Sequence, residues 1–94
     1  EREAEYYLGL YDMNTNMHDS ALKHLFRCDE LSRKIDKDGP SGFMVLANNK
    51  IGNIYDMQAK RDQALAQYKK VLAMKEYKDS HVQAQQFINS PYKR

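Results

Sequence analysis

The middle of the chain carries two stripes of apolar residues at helical spacing. The first stripe occupies positions i, i+3, i+7, i+10 and i+11, which form one face of an α-helix: Met44, Ala47, Ile51, Ile54 and Tyr55. A polar interruption follows at 60–62, and a second stripe then begins: Ala64, Leu65, Tyr68, Val71 and Leu72. The pattern predicts a helical hairpin that starts near Pro40 and Ser41, with Asp62 capping its second helix.

The N-terminal part of the chain has the same organisation. A first stripe predicts one helix with a buried face: Ala4, Tyr7, Leu8 and Tyr11. Asp19 is the expected cap of a longer second helix, whose apolar face is Ala21, Leu22, Leu25, Cys28, Leu31 and Ile35. This helix is predicted to reach Asp36 and to end at Lys37-Asp38-Gly39-Pro40, because glycine favours helix ends and proline cannot continue a helix.

The two hairpins are copies of one unit. The segment 18–22, His-Asp-Ser-Ala-Leu, corresponds to Arg-Asp-Gln-Ala-Leu 43 residues later, and Leu8-Gly9 corresponds to Ile51-Gly52 at the same offset. Tyr11-Asp12-Met13 matches Tyr55-Asp56-Met57 at an offset of 44, which predicts a slip of one residue between the copies. A glycine inside a helix costs about 1 kcal/mol relative to alanine. We therefore expect Gly52, together with Ala64, to permit close helix packing.

A fifth helix is predicted near the C-terminus. Asp79 or Ser80 is its expected cap, Asn89-Ser90-Pro91 ends it, and its expected buried face is Val82, Ala84, Phe87 and Ile88. Because glycines and prolines are few and no alternating Val/Ile/Thr runs occur, the sequence offers little material for a sheet. The prediction is a single all-α domain over 1–94: two antiparallel helix-turn-helix repeats at about 2–36 and 43–76, then a capping helix at about 80–90. Such an α-solenoid has about five helices.

Composition narrows the function classes. Hydrophobic residues make up 41% and charged residues 30% of the chain, a balance that suits a soluble globular fold. A formal net charge of +2 is too small to indicate a polyanionic partner, so no nucleic acid is expected, and no apolar run reaches the roughly 20 residues of a membrane-spanning helix. Because the chain starts at Glu1 rather than Met, we expect an excised piece or a processed product.

The second repeat resembles the tetratricopeptide family, whose pattern includes L-G-x2-Y and A-x3-F. Five residues fall at the pattern's positions: Ile51, Gly52, Tyr55, Ala64 and Tyr68. In the first repeat the matching residues are Leu8, Gly9, Ala21 and Leu25, with Cys28 further along. The run from 47 to 55 is most similar to the forty-odd-residue variety found in kinesin light chains. The resemblance implies that these residues pack the repeats and that the chain is the C-terminal end of an array.

The resemblance also implies a binding groove on the concave side, lined by the first helix of each repeat. Asn49 and Asn53, spaced i and i+4, match positions where family members hydrogen-bond a ligand's backbone, which a primary amide does as donor and as acceptor. The same register places Tyr6, Leu10, Met13 and Met57 in the groove. The alternative for the two asparagines is a solvated surface with no ligand, and for the N-terminal residues it is cover by a preceding repeat.

Other chemistry has little support in the sequence. His24 and Cys28 are spaced i and i+4 on a helix, but two ligands are too few for zinc, so no metal and no cofactor is expected. Residues 34–45 lack the ligands of a calcium loop. No nucleophile motif or phosphate-binding loop occurs, so we expect no enzymatic activity. A Lys- and Arg-rich region between 60 and 78 is interpreted as a solvated face.

The expected function is a non-catalytic scaffold or adaptor that binds a protein or peptide in the concave groove. The main alternative is a structural role, either as the cap of a longer solenoid or as a homodimer formed through the first helix. Nucleic-acid binding through the Lys-rich second repeat is the remaining alternative.

Overall fold

The computed structural model describes residues 2–35 and 42–93, with the side chain of Ile35 left out. Its described part contains no strand and has five α-helices: α1 (Arg2–Asn14), α2 (His18–Ile35), α3 (Gly42–Met57), α4 (Arg61–Leu72) and α5 (Ser80–Asn89). The all-α prediction is confirmed. The predicted end of the second helix at Asp36, its stop at 37–40 and the start signal at Pro40 and Ser41 lie outside the described residues.

The helices stack in a repeating order. α1 packs along α2 as one hairpin, and α3 packs along α4 as a second hairpin. α3 lies mainly on α2 and to a smaller extent on α1, and α5 lies in the same way mainly on α4 and less on α3. α3 and α5 therefore pack on the preceding hairpin in the same manner. This packing confirms the predicted fold of two repeats followed by a C-terminal helix.

The turn between α1 and α2 is equivalent, residue for residue, to the turn between α3 and α4. Asn16 and Ala59, 43 positions apart, both adopt a left-handed backbone, with φ of 62° and 60°. The next residue in each turn donates its backbone N–H at 2.8 Å to a carbonyl five positions earlier: Met17 to Asp12, and Lys60 to Tyr55. The offset is thus 43 through the turn. The predicted slip of one residue is wrong, because the Tyr-Asp-Met match at an offset of 44 does not correspond to equivalent backbone positions.

One glycine in each hairpin allows its two helices to pack closely. A Cβ on Gly9 would lie 2.6 Å from Cγ of Leu25, and a Cβ on Gly52 would lie 2.4 Å from Cε1 of Tyr68. Such separations are far inside van der Waals contact, so only glycine admits these two buried side chains. The predicted packing role of both glycines is confirmed, as is the burial of Leu25 and Tyr68.

Two hydrophobic clusters fill the interior. The first joins α1, α2 and α3 and contains fully buried Ala21, Leu25, Cys28, Ala47, Ile51 and Ile54. The second joins α3, α4 and α5 through Val45, Ala64, Tyr68, Val71 and Ala84. Half-buried Tyr55 packs against both clusters, as expected of a residue between two repeats. The core is therefore continuous along the stack.

The predicted caps of α2 and α4 are wrong. α2 begins at His18 and α4 at Arg61, so Asp19 and Asp62 lie inside the first turns, and no side chain caps α4. Asp79 occupies the N-cap position of α5, one of the two predicted positions, but its backbone is left-handed with a φ of 63° and its side chain makes no capping hydrogen bond. Aspartates one position inside a helix still favour its positive N-terminal end, which explains their position without a cap.

Glu76 stabilises the start of α5 instead. Its Oε1 accepts hydrogen bonds from the Ser80 hydroxyl at 2.6 Å and from the backbone N–H groups of Tyr77 and His81 at 2.9 and 3.0 Å. These bonds, the Ser80 bond first, lower the pKa of Glu76 below its usual value. The carboxylate thus satisfies free donors at the helix N-terminus from the preceding loop. α5 ends at Asn89, as predicted.

Candidate functional site

The predicted groove asparagines are buried between helices. Asn49 is 3% exposed and donates from Nδ2 to the carbonyl oxygen of Ser80 at 3.3 Å. Asn53 is 2% exposed and donates to the hydroxyl of Tyr68 at 3.1 Å. The groove prediction for both residues is wrong, because α5 and α4 already occupy the space in front of their amides.

The predicted apolar groove residues all pack against the hydrophobic core. Tyr6 and Met13 are buried in the first cluster, and the ring of Tyr6 meets that of Phe43 edge-on at 5.7 Å. Leu10 and Met57 are half-buried and pack against the same cluster. The predicted groove positions of Tyr6 and Met13 are wrong, because both side chains lie on the buried face of α1. Met57 also borders an open pocket of about 400 Å³ beside the C-terminal tail.

The exposed apolar surface lies on the opposite side of α1. We define the outer face of α1 as Ala4, Leu8 and Tyr11; Leu8 is 46% exposed and Tyr11 64%. Tyr7, beside this face, is also exposed. The stripe is helical, as predicted, but its predicted burial is wrong, including that of Leu8 as a packing residue. In the described structure no helix lies on this side of α1.

Asp56 forms a buried polar centre at the C-terminal end of α3. Only 1% of its side chain is exposed, and Nη1 of Arg61 lies 3.0 Å from Oδ1. Oδ2 accepts hydrogen bonds from the Tyr68 hydroxyl at 2.7 Å and from the backbone N–H of Tyr92 at 3.0 Å. Burial raises the pKa of the Tyr68 phenol, and the bond to Asp56 acts in the same direction. One carboxylate therefore ties together α3, α4 and the C-terminal tail.

Arg61 extends this centre to α5. Its Nη2 donates to the carbonyl oxygens of Phe87 and Ile88 at 2.6 and 2.8 Å, in the last turn of α5. A cation at this position satisfies free carbonyl groups and matches the negative end of the helix dipole. This role of Arg61 is not among the predictions from the sequence. The signal in the sequence is an aspartate in the last turn of a helix, five residues before an arginine.

A second polar cluster joins α1 to α2. His24 Nδ1 lies 3.0 Å from Oε1 of Glu5 and its Nε2 lies 3.8 Å from Oδ2 of Asp12, while Arg27 Nε lies 2.9 Å from the other Glu5 oxygen. The Ser20 hydroxyl donates to Asp12 and not to the imidazole. The cluster therefore ties α1 to α2 through the carboxylates of Glu5 and Asp12.

Cys28 is a packed core residue. Its side chain is fully buried, and Sγ lies 3.9 Å from the carbonyl oxygen of Phe43, a weak contact. Burial raises the pKa of this thiol to about 11. The described residues contain no group of three or more His, Cys, Asp or Glu side chains placed to hold a metal.

We expect the Cys28 thiol to be unreactive in the folded protein. With a pKa of about 11, only about one thiol in a thousand is ionised at pH 8, and burial blocks access to it. A chromogenic disulfide reagent at pH 8 should therefore react at least about 100-fold more slowly with the native chain than with the chain in denaturant. Equal rates in the two conditions would contradict the burial of Cys28.

Comparison of the chain with protein-family models, with curated proteins and with solved structures gives no match. Among the described helices, none combines the length and the apolar character needed to cross a membrane.

Proposed function

We propose that the chain is a non-catalytic protein-interaction module built from tetratricopeptide-type repeats, and that a partner protein binds the outer face of α1. The observation that carries the proposal is the exposure of Leu8 and Tyr11, which are 46% and 64% accessible on a helix whose other side is packed. Exposed apolar residues in one stripe on a small domain are typical of a protein interface.

Because Asn49 and Asn53 are buried, the proposed site is the outer face of α1 and not the concave groove. Asn49 and Asn53 already donate to Ser80 and Tyr68, so a ligand backbone would have to replace those bonds. The outer face of α1 requires no such exchange, because its apolar side chains have only water to lose. Binding there gains free energy from burying Leu8 and Tyr11.

The proposal is tested by measuring how much partner protein the tagged chain retains from a cell extract. The tagged chain is incubated with an extract of the cells that express it, beside a Leu8→Glu variant and a matched Val82→Glu variant. Val82 is 56% exposed on α5, so both changes place a carboxylate at an exposed apolar position. We expect the Leu8→Glu variant to retain at least about tenfold less partner than the unmodified chain, which corresponds to about 1.4 kcal/mol of binding free energy. The Val82→Glu variant should retain as much partner as the unmodified chain.

Two outcomes would contradict the proposal. Equal retention by the Leu8→Glu and Val82→Glu variants would remove the outer face of α1 as the site. Failure of the unmodified chain to retain any protein above a tag-only control would remove the interaction function itself. Circular dichroism of each variant verifies that its helices are intact.

A further inference from the structure

The C-terminal tail, residues 90–93, runs from the end of α5 back to the end of α3. It leaves α5 at Ser90, whose backbone is extended, with a φ of −148° and a ψ of 126°. Two residues later, the backbone N–H of Tyr92 donates to Oδ2 of Asp56 at 3.0 Å, and the Tyr92 ring meets that of Phe87 edge-on at 5.5 Å. Tyr92 therefore anchors the tail to α3 and to α5.

The exposed part of the tail carries a phosphoacceptor pattern. Ser90 precedes a proline, and no other serine or threonine of the chain does so, because Pro40 follows a glycine. Lys93 lies three positions after the serine, and Ser-Pro-x-Lys is a charge pattern that proline-directed protein kinases select. Proline also disfavours a helical conformation of the residue before it, so Ser90 lies in an extended segment. The three residues of the pattern are all exposed: Ser90, Pro91 and Lys93.

Ser90 lies between two points at which the buried polar centre holds this end of the chain. Before it, the carbonyl oxygen of Ile88 accepts a hydrogen bond at 2.8 Å from Arg61, which also pairs with Asp56. After it, the N–H of Tyr92 donates to Asp56. A charge added to Ser90 is therefore added two residues from each of these contacts.

A phosphate on Ser90 would weaken the tail contact in three ways. It adds a charge of about −1.5 to −2 at pH 7, and it adds this charge at the C-terminal end of α5, where the helix dipole is already negative. It repels the buried carboxylate of Asp56, which solvent screens little. Its oxygens also attract the guanidinium of Arg61, which is less buried than Asp56, away from that carboxylate. All three effects reduce the free energy that holds Tyr92 on Asp56.

We propose that Ser90 is a phosphorylation site for a proline-directed protein kinase, and that its phosphorylation releases the C-terminal tail from α3. In the transfer, Oγ of Ser90 forms a bond to the γ-phosphorus of ATP. The bond between that phosphorus and the leaving oxygen breaks, its electron pair leaves with ADP, and the hydroxyl proton passes to the catalytic base of the kinase. Tyr92 and Lys93 form part of the wall of the 400 Å³ pocket beside Met57, so release of the tail removes this wall and opens the end of α3.

Phosphorylation of the native chain tests the site. The 94-residue chain is incubated with a purified cyclin-dependent protein kinase and magnesium ATP, beside Ser90→Ala and Pro91→Ala variants. We expect intact-mass spectrometry to show the addition of one phosphate, which fragmentation places on Ser90. The Pro91→Ala variant keeps the hydroxyl but should lose the modification, because it lacks the residue that the kinase recognises. No modification, modification at another residue, or equal modification of the Pro91→Ala variant would overturn the assignment.

Hydrogen exchange tests the release of the tail. We expect the backbone N–H of Tyr92 to exchange at least about tenfold faster in the phosphorylated chain than in the unmodified chain, whereas the N–H of Gly9 in α1 exchanges at the same rate in both. The Ser90→Ala variant, treated with the same kinase, should exchange at Tyr92 as the unmodified chain does. Equal or slower exchange at Tyr92 after phosphorylation would show that the phosphate leaves the tail in place, and would overturn the proposed switch.

Discussion

Replacing Ile51 by alanine is expected to lower the free energy of unfolding by about 3 kcal/mol. The same change at its repeat equivalent, Leu8, is expected to stay within about 0.5 kcal/mol of the unmodified chain. Ile51 is fully buried between α3 and the first hairpin, so its loss leaves a cavity, whereas Leu8 is 46% exposed and leaves none. Urea denaturation followed by helical circular dichroism measures both values.

The two variants control for each other, because leucine and isoleucine are isomers, Leu8 and Ile51 have the same position in the repeat, and Leu8 is exposed whereas Ile51 is covered. A loss at Leu8 that approaches the loss at Ile51 would mean that the outer face of α1 is covered in solution. Repeating the measurement at several protein concentrations detects cover by self-association, since the stability of an associating chain rises with its concentration.

Replacing Asp56 by alanine is expected to cost about 3 kcal/mol, because removing one member of a buried charged network leaves its partners without compensation. Arg61 would lose its carboxylate, and the buried Tyr68 hydroxyl would lose its acceptor at 2.7 Å. Asp62, which is exposed, provides the matched control, and Asp62→Ala should change stability by less than about 0.5 kcal/mol.

The Asp56 variant should also release the C-terminal tail. The backbone N–H of Tyr92 donates to this carboxylate, and Arg61, which the carboxylate holds, donates to the end of α5. Hydrogen exchange should therefore become faster at Tyr92 and in the last turn of α5, and much less so in α1. Unchanged exchange at Tyr92 alongside the stability loss would argue against the tail contact, and a loss equal to that of Asp62→Ala would argue against the network.

The helices and their pairing could be predicted because their signals are local. The apolar stripes at 44–55 and 64–72 appear in α3 and α4, and Gly52 faces Tyr68 as its position inside a helix indicated. Cap positions were less accurate. Asp19 and Asp62 favour the same helix ends whether they lie at the cap or one residue inside, so composition near the end does not distinguish these positions.

Local sequence patterns could not predict which side chains of the predicted groove are buried and which are exposed. Asn49 and Asn53 are polar and were assigned to an open surface, yet each is buried with its amide donating to a neighbouring helix. Tyr6 and Leu8 are both apolar and lie two positions apart on α1. Periodicity alone did not show that Tyr6 is buried and Leu8 is exposed. Asp56 gained its role from Arg61 and from Tyr92, 36 residues away.

The sequence by itself determined an all-α chain of two related hairpins and a closing helix, because periodicity, glycine positions and repeat spacing are properties of neighbouring residues. Tertiary structure alone decided that the stripe of Ala4, Leu8 and Tyr11 is exposed while its copy on α3, which is Ala47, Ile51 and Ile54, is packed. The physical reason is that a stripe specifies which side of a helix is apolar, whereas its burial requires a second surface. Within residues 2–35 and 42–93, the chain supplies that surface to α3 but not to the outer face of α1.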